Sequence, residues 1–215
     1  ARSLSTTRSS RRRASAAADL PHYLDPGHVR TGSGPIEIAL HPATLDEEAP
    51  NDLAADRAGR IYFSARPGLD DPAKQAPIAV YRVLPDGKVE LLLGEPEVHM
   101  PNGIDLSPDE KRLYVIESHS GEGRNRHIRV YDLAPPTMTP SNGRVLIDFY
   151  PGRSGDGMCL DVEGNLYVAA GLHRTRETSE TLDTRPGIHV ISPAGNLLAY
   201  LPTPVDTVTN CAFGG

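Results

Sequence analysis

The sequence predicts an all-β fold, a β-propeller of four-stranded antiparallel blades. A strand-turn-strand pattern starts at Asn51, Asn102 and Asp156, at spacings of 51 and 54 residues, and a fourth copy opens at Asn210 after a further 54. A period near fifty built of short strands is the mark of a propeller blade. Twenty Gly and twenty Pro among 215 residues indicate frequent turns, and no long stretch shows helical periodicity. A β-sandwich has similar strand spacing but gives no reason for four-strand groups to recur with matched residues.

The elements follow in order. Residues 1–33 carry Arg2, Arg8, Arg11, Arg12 and Arg13 with many Ser and Ala and no acid before Asp19. That composition fits a disordered basic, Ser-rich tail. It also resembles a transit peptide, although the Arg run has no amphipathic period. Pro35-Ile-Glu-Ile-Ala-Leu is one possible strand. Residues 34–215 are expected to form a partial propeller, with blades at about 51–101, 102–155 and 156–209 and the start of another at 210. The first half of each blade reads as two strands, Asn51 to Phe63, Asn102 to Val115 and Asp156 to Val168. The second half reads as an alternating pair, opening at Ile78, Ile128 and Ile188. Asp86-Gly87 and Ala194-Gly195 stand where hairpins need a residue tolerant of positive φ. The chain reads as a piece of a larger propeller.

Composition narrows the function classes. No run approaches eighteen apolar residues, so no membrane span is expected. A formal charge of −6, with no basic face carrying aromatic platforms, argues against nucleic acid as a partner. Gly152-Arg-Ser-Gly-Asp-Gly is not a nucleophile elbow, and Gly121-Glu-Gly follows a strand without opening a helix. Cys159 and Cys211 stand at offsets three and one from their repeat starts and read as free core thiols. Compartment and oligomeric state stay open.

The repeat starts carry the chemistry. In a propeller the innermost strands line a channel, and equivalent positions form a ring around it. Asn51, Asn102 and Asp156 thus bring two amides and a carboxylate together. These hard oxygen donors suit Ca²⁺ best, or Mg²⁺ or Mn²⁺ with water. Zinc has no Cys/His cluster of ligand spacing to hold it. The competing reading is turn chemistry, because Asn and Asp satisfy nearby backbone groups.

Several blocks then carry a resemblance. Pro101-Asn-Gly-Ile with Ser107-Pro-Asp and Leu113-Tyr-Val, Asp156-Gly-Met with Gly164-Asn-Leu-Tyr-Val-Ala, and Thr209-Asn-Cys-Ala-Phe-Gly-Gly resemble the gluconolactonase / senescence-marker-protein (regucalcin-like) family, from about Asn51 to Gly215. The resemblance implies a six-bladed propeller with one divalent cation in its channel and a lactone as small-molecule substrate. A related branch cleaves organophosphates at the same kind of site. Asn102 and Asp156 match the family's metal ligands, and Asp156 also its catalytic carboxylate. Asn51 matches an Asn that binds metal or substrate. The family's Glu ligand, in an early Glu-Gly-Pro block, has no counterpart; Glu37 is a poor substitute. Ala49 stands where some members carry a substrate-gripping Arg.

The expected chemistry is metal-assisted opening of a lactone, with Asp156 as metal ligand and general base. His173, in the loop after Tyr167-Val-Ala-Ala-Gly-Leu, is a weaker substrate contact or a solvated loop residue. The polar stretch 174–185 reads as a surface excursion or a lid. A non-catalytic binding platform and a phosphotriesterase are the rival readings.

Overall fold

Alternating apolar residues with a period of two suit strands buried on one or both faces. In the computed structural model, which describes residues 50–66, 77–204 and 207–214, they form twelve strands in three antiparallel four-stranded sheets. The first holds β1 (Pro50–Ala55), β2 (Ile61–Ala65), β3 (Ala79–Val83) and β4 (Val89–Leu93). The second holds β5 (Pro101–Leu106), β6 (Arg112–Glu117), β7 (His127–Ala134) and β8 (Thr139–Asp148). The third holds β9 (Gly155–Leu160), β10 (Leu166–Ala170), β11 (Gly187–Ile191) and β12 (Leu197–Pro202). Sequence order is spatial order in each sheet, the up-and-down arrangement of a propeller blade. Gly87 and Gly195 both take φ +85°, as the hairpin positions require. No helix among the described residues is long and apolar enough to cross a membrane. The N-terminal tail, the candidate strand at 35–40, Glu37 and Ala49 lie outside the described residues.

The middle sheet is buried on both faces, and its pleat divides the core in two. Leu113, Val115, Tyr131 and Leu133 pack toward the first sheet with Tyr62 and Val80. Tyr114, Ile116, Ile128 and Val130 pack toward the third, with Leu166 and Val168. Burying each such side chain contributes about 1.5–3 kcal/mol, which makes sheet stacking the main stabilising term. The outermost strand β12 is instead largely exposed, including Leu197, Leu198 and Leu201.

Two features position the inner strands. Ladder pairing shifts register at Asn51 in β1, at Asn102-Gly103 in β5 and at Asp156-Gly157 in β9, so each repeat start sits on a bulge. A bulge bends the strand and re-aims a side chain. Neighbouring inner strands also approach closely. A β carbon on Gly103 would lie 2.5 Å from the Asp156 carbonyl oxygen, and one on Gly157 would lie 2.3 Å from Asn210 Cγ. Only glycine fits there.

An acidic residue clips the first two inner strands together: the Ile104 N–H donates to Asp52 Oδ2 at 3.3 Å. Within β5 the Leu106 N–H donates to Asp105 Oδ1 at 2.7 Å. Burial pushes the Asp52 carboxyl up to about 6 and that of Asp105 up to about 7, against the backbone donors that oppose the rise. The Asp52 charge raises Asp105 further.

Arg126, fully buried, gathers the loops at the Asn102 end. It donates to the carbonyls of His119, Ser120, Gly121, Pro151 and Ser179 and to Ser179 Oγ. The stretch 174–185 is thereby tied down rather than poised as a lid: Thr181 N–H also donates to Pro151 O at 3.0 Å, and Ser179 N–H to Ser120 O at 3.2 Å.

Two outcomes are expected. Gly103→Ala forces the inner strands apart and destabilises by about 1–3 kcal/mol, read as a lower urea midpoint with unchanged slope. The second concerns pH. The folded-state pKa values of Asp52 and Asp105 lie above their ordinary value, so folding favours the protonated forms. Their contribution is complete below about pH 4 and is lost as pH rises through 6 to 7. Stability should therefore fall from about pH 4 to about pH 7, and Asp105→Asn should remove on the order of 4 kcal/mol of that fall.

Candidate metal centre and active site

Bulges in β5 and β9 aim Asn102 and Asp156 at one another, although 54 residues separate them. Asn102 Nδ2 donates to Asp156 Oδ1 at 2.7 Å and to Ser118 Oγ at 3.1 Å. The Asn102 backbone is fixed from the adjacent sheet, where Ser64 Oγ donates to its carbonyl at 2.5 Å. Asn102 is 4% exposed, whereas the Asp156 side chain keeps 22% of its surface open. The amide is held in place and the carboxylate reaches solvent.

Two guanidinium groups frame the pair. Arg153 Nη2 donates to Asp156 Oδ2 at 2.6 Å, so both carboxylate oxygens are engaged. Arg66 donates to the Pro101 carbonyl at 3.1 Å and to Ser118 Oγ. Burial lowers the Arg66 pKa, the Asp156 and Glu117 charges oppose that, and Arg153 reinforces it. Glu117, fully buried, accepts the Met100 N–H at 2.9 Å and the His99 N–H at 3.1 Å. Its pKa is raised by burial, with those backbone donors pulling the other way.

The other expected residues do not join this pair. Asn51, second in β1, sits on its own bulge, exposed, and no hydrogen bond links it to Asn102 or Asp156 among the described residues. His173 is an exposed loop residue whose Nε2 lies 2.9 Å from the Thr203 carbonyl oxygen. Among the described residues, no three His, Cys, Asp or Glu side chains converge to hold a metal. The donors that do meet fit a hard divalent cation in kind. A half-turn of the Asn102 amide puts its oxygen beside Asp156 Oδ1, giving two hard oxygens where there is now a donor and an acceptor.

Sequence reasoning missed Arg153 and Arg66 as neighbours of Asp156. It also treated the cysteines as unrelated core thiols. Both are free, but they are half-buried and meet across adjacent inner segments, Sγ to Sγ at 3.7 Å. A groove of about 690 Å³, lined by Leu91, Leu93, Pro140 and Gly143, lies between outer strands rather than at the inner-strand pair.

Comparison with known proteins gives the family. The SMP-30/Gluconolactonase/LRE-like region matches residues 23–215. A gluconolactonase of Zymomonas mobilis is 32% identical over 180 residues, covering 77% of this chain and 45% of the relative. Regucalcin of Bos taurus is 32% identical over 188 residues, covering 83% and 56%. The solved structure of a Xanthomonas campestris gluconolactonase superposes with a TM-score of 0.59 at 29% identity, over 76% of this chain and 50% of that one. The chain spans about half the length of these relatives. It belongs to the SMP-30/gluconolactonase/LRE-like family.

Proposed function

We propose that the protein containing this chain is a divalent-cation-dependent lactonase of the gluconolactonase type, taking a sugar-derived lactone as substrate. The observation that carries the reading is the meeting of Asn102 and Asp156 at 2.7 Å, from equivalent positions of successive repeats. Membership of a family that includes gluconolactonases supports it. On this reading residues 34–215 are part of a propeller, with blades at about 51–101, 102–155 and 156–209.

Asn102 and Asp156 would hold the cation, Ca²⁺ by the hardness of the oxygens, with Asn51 as a third donor or a contact to substrate hydroxyls. When bound, the cation supplies Lewis-acid polarisation of the lactone carbonyl. Asp156 takes a proton from water as the oxygen adds to the acyl carbon. The ring C–O bond then breaks, and Asp156 returns the proton to the departing alkoxide. The partly open carboxylate suits this role, because a base sealed from solvent could not meet the water. Ser118 and Ser64 keep the Asn102 side chain and backbone in place meanwhile. His173, beside the Thr203 carbonyl, would contact only a substrate that extends that far.

Hydrolysis of glucono-δ-lactone, followed by proton release, tests the reading alongside Ca²⁺ titration by calorimetry. Asp156→Ala is expected to abolish Ca²⁺ binding and lower kcat by about 10²–10⁴-fold. Asn102→Ala should weaken Ca²⁺ by about tenfold or more. Wild-type turnover in Asp156→Ala would remove the carboxylate from the chemistry. Hydrolysis of a phosphotriester without any lactone would replace the substrate class.

A further inference from the structure

The Arg153 guanidinium lies against the one carboxylate on which the proposed site depends. Among the described residues its ion pair is with Asp156 alone. Its side chain is 9% exposed, and its other terminal nitrogen, Nη1, is buried without a hydrogen-bond partner. Leaving such a donor unsatisfied costs on the order of 1–3 kcal/mol, so packing alone does not favour an arginine here. The backbone leading to Arg153 is nevertheless fixed. Pro151 O accepts from Arg126 Nη1 at 2.6 Å, and a β carbon on Gly152 would lie 2.5 Å from the Thr184 backbone nitrogen. The backbone of Arg153 is thereby set beside Asp156.

We propose that Arg153 is a positioning residue that sets the cation affinity and carboxylate orientation of the site. This rests on the cation reading of Asn102 and Asp156. By holding Oδ2, Arg153 turns Oδ1 toward Asn102 and leaves that one oxygen for a cation. The guanidinium charge also answers the carboxylate before any cation arrives, and Arg66 adds a second positive charge within electrostatic range. A cation there meets a carboxylate already largely neutralised. It binds less tightly than at a bare aspartate and keeps more of its electron-withdrawing power for the substrate carbonyl.

The idea separates from a purely structural role by the sign of one change. A structural arginine, once removed, lets Asp156 wander, and Ca²⁺ affinity and turnover fall together. A tuning arginine repels the cation, so its removal moves the two in opposite directions. In the full chain, Arg153→Met is expected to tighten Ca²⁺ binding by about tenfold, from one charge facing a divalent ion a few ångströms away in a largely aqueous dielectric. Turnover of glucono-δ-lactone should fall by about tenfold or more as the carboxylate loses its orientation. Arg153→Lys keeps the charge and should hold Ca²⁺ affinity within about twofold of wild type while restoring part of the turnover. If the methionine variant does not fold, Arg153→Gln, which also removes the charge, takes its place with the same two expectations. Weaker Ca²⁺ binding in either variant, or no change in both binding and turnover, overturns the proposal. Wild-type protein that binds no Ca²⁺ overturns the cation reading itself and this inference with it, an outcome visible before any variant is made.

Discussion

The closeness of neighbouring inner strands is the constraint on which the rest depends. With a Cβ position 2.5 Å from a carbonyl at Gly103 and 2.3 Å from a side chain at Gly157, these strands leave no room for anything but hydrogen. That closeness lets a carboxylate on one strand take a backbone N–H from the next, as Asp52 does with Ile104. It also lets residues a full repeat apart touch. The bulges do the aiming, and the glycine after each of Asn102 and Asp156 permits the approach. The polar pair is therefore a product of how the sheets pack, and the packing comes from a middle sheet buried on both faces.

The surroundings of that pair are electrostatically mixed. Asp156 faces Arg153 directly, Arg66 stands behind Ser118, and Glu117 lies below, its charge disfavoured by burial. An isolated buried carboxylate would be costly to ionise, and a carboxylate in open water would hold no fixed direction. Asp156 sits between these limits, tied at both oxygens yet partly exposed. That combination is compatible with the general-base role proposed for it. Elsewhere around the inner strands the acids are tuned differently: Asp52 clips the next strand's backbone, and burial disfavours the ionised forms of Asp52 and Asp105.

Much of this was legible in the sequence. The period of the repeat, the alternation within it and the Asp-Gly hairpin at Asp86 all express local rules, and the three four-stranded sheets follow them. Equivalent positions in successive repeats put Asn102 and Asp156 on one expected ring, and the two meet at 2.7 Å. Arg153 was not legible, since Pro151-Gly-Arg-Ser has no periodicity, and its contact depends on the Arg126 scaffold and the bulge beside it. The cysteines misled for a related reason. Offsets of three and one looked unrelated, yet the stagger between neighbouring inner strands brings those offsets together, as it also brings Asp105 within range of Asp52. Asn51 shares the repeat position and the bulge but is exposed, and among the described residues no hydrogen bond joins it to the pair.

The most direct test is a crystal structure of the protein at saturating Ca²⁺, with the ion located by its anomalous scattering. The account predicts one ion between the two residues, with the Asn102 amide turned so that its oxygen and Asp156 Oδ1 each lie about 2.4 Å from it. Arg153 should remain on Oδ2. An ion held by residues that exclude Asp156, or an Asn102 amide still donating to Asp156 with no ion beside it, would contradict the account.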